Sequence, residues 1–304
     1  MKTRLHARGR RLRIAALVAG LMTTGSAYAA TTPAQQPTVT ISGAGDVQKV
    51  RYGHEISLSG RAAGGSDVRL EHAPAGRDWR LLATSHTAAG GGYSFSVRAR
   101  QSGAYRAVAS GKASAPHRVK VVARLSGRAS RNVNIGRSAR VRGSLKPGLR
   151  GRTVRLQLRS HGGWKTVDRA RTGSGGRFNA SWNASRPGSY RLRLRFSGDS
   201  SNLAVSRGLR GRTNVYRPGA ASWYGPGFYG GHTACGYTLD ASVKGVANKS
   251  LPCGSKVRFR YHGRTTVATV IDRGPYSGSR EWDLTPATKE ALGFGSTGTV
   301  WSTR

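Results

Sequence analysis

An internal duplication constrains the fold of this chain more than any other feature of its sequence. Trp79 and Gly103 recur as Trp164 and Gly188, each with similar flanking residues and at an offset of 85 residues in both cases. Within each copy, runs such as VRLQL and YRLRLRF alternate apolar and polar residues with a period of two. This alternation predicts strands with one buried and one solvated face, and Gly-rich turns separate the runs. The chain is therefore expected to be mainly β, with two β-sandwich repeats in tandem.

The two copies resemble immunoglobulin-like bacterial surface repeats, although they lack the paired cysteines of antibody domains. Trp79 and Trp164 are expected in the sandwich cores, with carbohydrate platforms as the alternative. The predicted organisation is a signal peptide at 1–29, a flexible N-terminus at 30–38, sandwich repeats at 39–122 and 123–216, and a C-terminal domain at 217–304.

The N-terminal residues indicate export. A basic run, MKTRLHARGRRLR, precedes the short apolar stretch IAALVAGLM, and SAYA ends in the small-x-small pattern of a cleavage site after Ala29. A permanent membrane helix needs roughly 20 apolar residues, so no transmembrane segment is expected in the mature chain. The protein is expected to be secreted and associated with the cell wall.

The charge balance indicates the class of partner. The chain has 51 Lys and Arg residues against 12 Asp and Glu residues, for a net charge of +39. Such a charge attracts polyanions. An exported chain meets anionic cell-wall polymers first, and no zinc-finger spacing, RNP motif or basic zipper is present, so no nucleic-acid partner is expected. The C-terminal domain is the least basic part.

Cys235 and Cys253 are the two cysteines of the chain, and both lie in the C-terminal domain. An isolated pair in an exported protein predicts one disulfide. Two buried free thiols are the alternative.

The C-terminal domain has its own pattern. The runs KVRFRY, TTVATVI and REWDL predict strands. A helix is predicted after them, with Thr285 as its N-cap, Pro286 in its first turn and Gly293 at its end. A small β-barrel with one helix fits this pattern.

Five short motifs follow one another over this domain: ASWYG (221–225), TACG (233–236), SLPCGSKV (250–257), VIDRGPY (270–276) and WDLTPATKEALGF (282–294). Together they resemble the rare-lipoprotein-A (RlpA-like) family. That resemblance implies a six-stranded double-psi β-barrel, a fold shared with expansins and some cellulases. The family includes peptidoglycan lytic transglycosylases, so peptidoglycan glycan strands are the implied partner.

The resemblance assigns roles residue by residue. It implies catalytic roles for Asp240, Asp272 and Asp283, and Asp283 matches the aspartate that expansins require for wall loosening. Ser222 and Tyr224 match the polar and aromatic positions at the start of the expansin motif and are expected to bind substrate.

Two positions depart from the family pattern. The family's usual Glu is Tyr237 here, and its usual His is Asn248. Both can hydrogen-bond a sugar, as can Tyr229, and all three are expected to bind substrate. Asn does not exchange protons usefully near neutral pH, and a phenol has an ordinary pKa of about 10. The departures favour a non-lytic role, expansin-like or degenerate.

Two other functions stay open at this point. One is an active lytic transglycosylase that uses the aspartates alone, with one carboxyl of raised pKa serving as acid and then base while the sugar's own 6-hydroxyl attacks. The other is an adaptor that docks another wall enzyme.

The acids also have structural interpretations. Asp272 could order the turn before Gly274-Pro275, and Asp283 could pair with Arg273 or Arg280. No cofactor or metal is predicted, because His232 and His262 lack ligand spacing, and we expect a monomer.

Overall fold

The structure is a computed structural model that describes residues 38–304. The predicted signal peptide and nearly all of the segment 30–38 lie outside the described residues. Strands dominate the described part of the chain, as the alternating sequence pattern predicts. No helix within it is long and apolar enough to cross a bilayer.

The first repeat is built from two sheets around one core. Five strands lie in the order β1-β8-β6-β3-β4, with β7 beside β6, and β2 and β5 form a second, antiparallel sheet. Leu58 and Phe95 of the smaller sheet share a buried cluster with Leu70 and Tyr105 of the larger one. The strands are β1 Val47–Arg51, β2 Glu55–Arg61, β3 Asp67–Pro74, β4 Arg80–His86, β5 Gly92–Arg98, β6 Gly103–Ala109, β7 Lys112–Ala113 and β8 His117–Val122.

The second repeat is also built from two sheets around one core. A three-stranded sheet, β14-β11-β9, packs against a four-stranded sheet, β13-β12-β16-β17, around Leu145, Leu156 and Leu194. A single 3₁₀ turn, Ser174–Gly176, precedes β14. The strands are β9 Arg124–Ala129, β10 Asn132–Asn134, β11 Ser138–Lys146, β12 Thr153–Ser160, β13 Gly163–Arg171, β14 Arg177–Asn183, β15 Gly188–Tyr190, β16 Leu192–Phe196 and β17 Val205–Gly208.

The predicted core position of the two repeat tryptophans is wrong. Trp79 and Trp164 are only partly buried, and neither belongs to a core cluster. The Arg106 guanidinium lies 4.3 Å from the Trp79 ring centroid, and the Arg193 guanidinium lies 4.4 Å from that of Trp164. Arginine is abundant in this chain, and guanidinium groups stack on these two indole rings, which are therefore covered without being buried in the core.

One strand joins the second repeat to the C-terminal domain. The strand β18, Thr213–Trp223, pairs with β10 and β15 up to Tyr216 and with other strands from Arg217 onward. In the first repeat β8 pairs in the same way, parallel to β1 and antiparallel to β6. The first part of β18 is therefore the last strand of the second repeat, and its second part is the first strand of the barrel.

The C-terminal strands close into a six-stranded barrel. The ring runs β18-β22-β19-β21-β20-β23 and returns to β18; β18–β22 and β19–β21 are parallel, and the other pairs are antiparallel. Trp282, Phe259 and Val270 fill its core. The strands after β18 are β19 Gly245–Ala247, β20 Lys256–Tyr261, β21 Arg264–Asp272, β22 Trp282–Leu284 and β23 Gly298–Ser302.

The predicted helix is confirmed with its caps. The helix α1 spans Pro286–Leu292, and the Thr285 side chain accepts from the Thr288 backbone N–H. Gly293 ends the helix in the left-handed region, at φ 61°. Thr285 is fully buried and also bonds the backbone of Gly245, so the cap ties the helix to β19.

Candidate functional site

A groove of about 330 Å³ opens where several barrel strands end. Tyr224 follows β18, Asp272 is the last residue of β21, and Asp283 lies at the middle of β22. Because β18 pairs with β22, and only β19 separates β22 from β21, side chains distant in sequence meet at one rim. The groove is lined by these three residues together with Phe228, His232 and Tyr276, among others.

Asp283 is held on the floor of this groove by its neighbour strand. It lies opposite Ser222 in the parallel β18–β22 pair, and the Ser222 hydroxyl donates to Asp283 Oδ1 at 2.9 Å. Burial raises the pKa of the half-buried Asp283 carboxyl, and the nearby Asp272 carboxylate raises it further. The Ser222 hydrogen bond and Arg280 lower this pKa, but burial prevails.

Asp272 is oriented by backbone donors at the end of β21. Its Oδ1 accepts from the N–H of Ala234 at 2.9 Å and from the N–H of Arg273 at 2.8 Å. This geometry is that of an Asp that orders a turn, and it also fixes the carboxyl at the groove. Both backbone bonds engage Oδ1, so they leave the second carboxyl oxygen to other partners.

Tyr224 places a phenol between the two carboxyls. Burial raises the pKa of the Tyr224 phenol, and the charges of Asp272 and Asp283 raise it further. Its hydroxyl interacts with the Asp272 carboxylate, but no partner within residues 38–304 meets hydrogen-bond geometry. The phenol therefore stays protonated near neutral pH, and its buried hydroxyl lies against the Asp272 carboxylate.

A disulfide and an arginine brace the loops under the groove. Cys235 and Cys253 form the predicted disulfide, 18 residues apart in sequence. Cys235 follows Ala234, whose N–H orients Asp272. The Arg273 guanidinium donates to the carbonyl oxygens of Asn248 and Leu251 at 3.1 and 2.9 Å, and to Cys253 Sγ at 3.0 Å. Arg273 thus serves the loops and does not pair with Asp283.

Asn248 has its side chain turned to the protein backbone. It is 5% exposed, and its Nδ2 donates to the Glu281 carbonyl at 3.1 Å. Its Oδ1 accepts from the N–H groups of Ser250 and Leu251. These bonds engage both polar atoms of the amide with the backbone, and Asn248 is not among the residues that line the groove.

The other three predicted residues lie apart from the groove lining. Tyr229 and Tyr237 are exposed, and neither contributes to the lining. Asp240 is an exposed cap: its Oδ1 accepts from the hydroxyl and N–H of Ser242, both at 2.6 Å, and from Val243. The Ser242 bonds lower the pKa of the Asp240 carboxyl. The structure therefore brings together Ser222, Tyr224, Asp272 and Asp283 of the predicted set.

Glu281 belongs to the barrel wall. Its carboxylate pairs with the Arg217 guanidinium, with one contact of 2.8 Å, and ties the start of the barrel section of β18 to β22. The proximity of Glu281 to Asp283 in sequence therefore does not make it part of the groove.

Two exposed aromatic residues of the groove, Phe228 and Tyr276, are absent from the expected substrate-binding residues. Phe228 packs edge-on against Tyr224, with ring centroids 6.2 Å apart, and is 65% exposed. Tyr276 is 81% exposed at the opposite loop, directly after the Asp272–Pro275 motif. Exposed aromatic rings in the same groove as two carboxyls are suited to the apolar faces of sugar rings. The position of Tyr276 within the VIDRGPY motif was the available signal.

No cluster of three or more His, Cys, Asp or Glu side chains in residues 38–304 could hold a metal ion. The groove presents carboxyl, imidazole, guanidinium and aromatic side chains to a ligand.

Comparisons with known proteins agree with this geometry. Residues 217–301 match the family model described as lytic transglycolase. The chain is 42% identical over 84 residues to the endolytic peptidoglycan transglycosylase RlpA of Pseudomonas aeruginosa, covering 27% of this chain and 25% of that protein. It is 33% identical over 120 residues to the probable endolytic peptidoglycan transglycosylase RlpA of Synechocystis sp., covering 36% of this chain and 37% of that protein.

The chain thus spans only about a quarter to a third of the length of these relatives. Among solved structures, it is similar to a tetra-tandem repeat from the extending region of a large adhesion protein, at 13% identity and a TM-score of 0.34, over 81% of this chain and 66% of that one. A score this low supports no inference. The family match, the relatives and the closed six-stranded barrel together identify the C-terminal domain of this chain as an RlpA-like double-psi β-barrel.

Proposed function

We propose that the barrel binds peptidoglycan glycan strands in its groove without cleaving them, as an expansin-like domain of an exported, wall-associated protein. The observation that carries this proposal is the meeting of Asp272, Asp283 and the Tyr224 phenol in one groove. The relatives that match this domain are named as peptidoglycan transglycosylases, which supports a glycan of this class as the ligand.

The groove has the groups that sugar recognition requires. Carboxylate oxygens accept hydrogen bonds from sugar hydroxyls. Phe228 and Tyr276 offer exposed ring faces at the rim. A glycan strand would place its hydroxyls toward the carboxyls and its apolar ring faces on these aromatic side chains.

The residues at the two altered family positions support the non-lytic role. The resemblance leads us to expect Glu and His there, and both of those can transfer protons. Asn248 is instead buried and bonded to the backbone, and Tyr237 lies outside the groove lining. Neither residue can replace the missing proton transfer near neutral pH.

One observation favours a second candidate, a lytic transglycosylase. The raised pKa of Asp283 is the property of a general acid, which protonates the leaving glycosidic oxygen. The resulting carboxylate would then remove the proton of the sugar's 6-hydroxyl as that oxygen attacks the anomeric carbon. The product would be an anhydro-sugar, and the reaction would consume no water.

Mass spectrometry separates the two candidates. The full chain is incubated with purified peptidoglycan, and the soluble products are analysed for anhydro-sugars beside a reaction with the Asp283→Asn variant. We expect sedimentation of the wild type with peptidoglycan and no anhydro-sugar above the variant's background. Anhydro-sugars released by the wild type and absent with Asp283→Asn would establish the lytic function instead.

A further inference from the structure

One sheet of the second repeat presents an arginine-lined outer face. In the three-stranded sheet β14-β11-β9, residues alternate between a buried face, with Val141 and Leu145, and a solvated one. The solvated face carries Arg128, Arg140, Arg142 and Arg177; we name these four residues the arginine face.

The register of the sheet brings these charges together. Arg142 lies directly opposite Arg128 on β9 and opposite Asn179 on β14. Like charges at opposite positions of an antiparallel pair destabilise a sheet. Arg140 lies two residues from Arg142, which is about 7 Å along the same strand. The face is therefore a closely spaced set of positive charges whose repulsion a bound anion would relieve.

The protein itself does not neutralise these charges. Within residues 38–304, none of the four side chains lies within ion-pair distance of a carboxylate. A groove of about 840 Å³ runs along them, with Ser126, Ser130 and Asn179 among its lining residues. On the other sheet of the repeat, by contrast, Arg193 bonds Gln157 and stacks on Trp164, and Arg155 donates to Ser197.

We propose that the arginine face binds a linear anionic polymer of sugar or polyol units that carries phosphate or carboxylate groups. Guanidinium groups bind both anions through paired N–H donors. The neighbouring serine hydroxyls and the Asn179 amide suit the polymer's own hydroxyls. The wild-type chain carries no exposed aromatic ring among the residues that line this face, so it lacks the stacking platforms that proteins use for single-stranded nucleic acid.

The face continues toward the barrel. A second groove, of about 640 Å³, shares Arg140 with the arginine face and adds Arg137 and Arg260. Arg260 belongs to the barrel strand β20, and its guanidinium bonds Asn134 of β10. A polymer bound along both grooves would extend from the repeat to the barrel. The arginine face is separate from the barrel groove, and its binding of a polymer does not depend on what the barrel does.

The test uses the full chain, two charge-matched triple variants and defined polymers. The site variant is Arg128→Gln/Arg140→Gln/Arg142→Gln. The control is Arg155→Gln/Arg169→Gln/Arg195→Gln, which removes a cross-strand row from the four-stranded sheet of the same repeat. Binding to poly(glycerol phosphate), polygalacturonate and single-stranded DNA is measured by fluorescence anisotropy at low and high salt, and thermal unfolding checks that each variant is folded.

We expect the site variant to lose about tenfold or more in affinity for poly(glycerol phosphate) or polygalacturonate, with a shallower salt dependence, while the control stays within about threefold of the wild type. The polymer that binds more tightly identifies the charged group. Equal losses in both variants would show that binding follows net charge and would overturn the site. No loss in either variant, or a tighter groove-dependent binding of DNA, would also overturn the proposal.

Discussion

The Ser222 hydroxyl donates to Asp283 Oδ1 across the parallel pair β18–β22, at 2.9 Å. This contact joins the strand shared with the second repeat to the carboxyl on the groove floor. It favours the charged form of Asp283, yet burial still raises the pKa of that carboxyl. Burial therefore disfavours the charged form of Asp283 in the folded state, and the resulting loss of stability can be measured as a function of pH.

The Asp283→Asn variant should be at least as stable as the wild type at neutral pH. The folded-state pKa lies above the unfolded one, so the native state binds the proton more tightly. The free energy of unfolding of the wild type should then fall, relative to the variant, as pH rises from the ordinary carboxyl range of about 4 through the raised pKa, and the difference should level off above it. Urea unfolding of both proteins at several pH values measures this difference. A variant that becomes less stable than the wild type as pH rises would contradict a raised pKa of Asp283 in the folded state.

The Tyr224→Phe variant should keep its stability and lose glycan affinity. The hydroxyl is buried without a hydrogen bond of good geometry, so its removal should change the free energy of unfolding by no more than about 0.5 kcal/mol. Loss of the hydroxyl beside the Asp272 carboxylate should disturb how that carboxyl meets the ligand and weaken binding by about tenfold or less. Denaturant unfolding and peptidoglycan co-sedimentation give the two numbers. A clear loss of stability would mean that the phenol serves Asp272 structurally.

The Asn248→Ala variant should show the opposite result. It leaves the N–H groups of Ser250 and Leu251 and the Glu281 carbonyl without their side-chain partner, which should cost about 1–3 kcal/mol of stability. The affinity of the remaining folded protein should change little. Ser250→Ala, an exposed neighbour, is the matched control and should be nearly neutral. Weak glycan binding by a fully stable Asn248→Ala protein would show that Asn248 contacts the ligand and is not needed for stability.

Reduction of the Cys235–Cys253 disulfide should affect both stability and the groove. Opening a loop of this length should cost about 3 kcal/mol in the chain-entropy model. Release of the loop that contains Ala234 should also loosen the N–H that orients Asp272, so glycan binding should weaken at temperatures where the reduced protein is still folded. Calorimetry and co-sedimentation with and without a reductant test this. Unchanged glycan binding after reduction would show that the groove does not depend on the disulfide.

Much of the barrel was predictable because its signals are local. Neighbouring residues predict the caps at Thr285 and Gly293 and the alternating strands. The disulfide was predicted from the expected export of the protein. The family resemblance singled out Asp272 and Asp283, and the structure places both in one groove. The burial of Asn248 could not be predicted, because its partner Glu281 lies 33 residues away.

The sequence also did not indicate that β18 runs as one strand from the second repeat into the barrel. Pro218 and Gly219 are residues typical of a turn, but they lie inside β18 just after Tyr216, where the strand exchanges the partners of the second repeat for those of the barrel. Proline is tolerated in a strand where the pairing changes and its missing N–H is not needed. The arginine stacks on Trp79 and Trp164 were missed because period-two patterns do not show which arginines fold over a ring.

Co-sedimentation with peptidoglycan stripped of anionic polymers tests the central claim most directly. The wild type, Asp283→Asn and Glu290→Gln are compared. Both variants remove one carboxylate, and Glu290→Gln is the control because Glu290 is exposed on α1 outside the groove lining. We predict that Glu290→Gln binds like the wild type and that Asp283→Asn loses about tenfold or more in affinity. A folded Asp283→Asn protein that binds stripped peptidoglycan as tightly as the wild type would contradict the assignment of this groove as the glycan site.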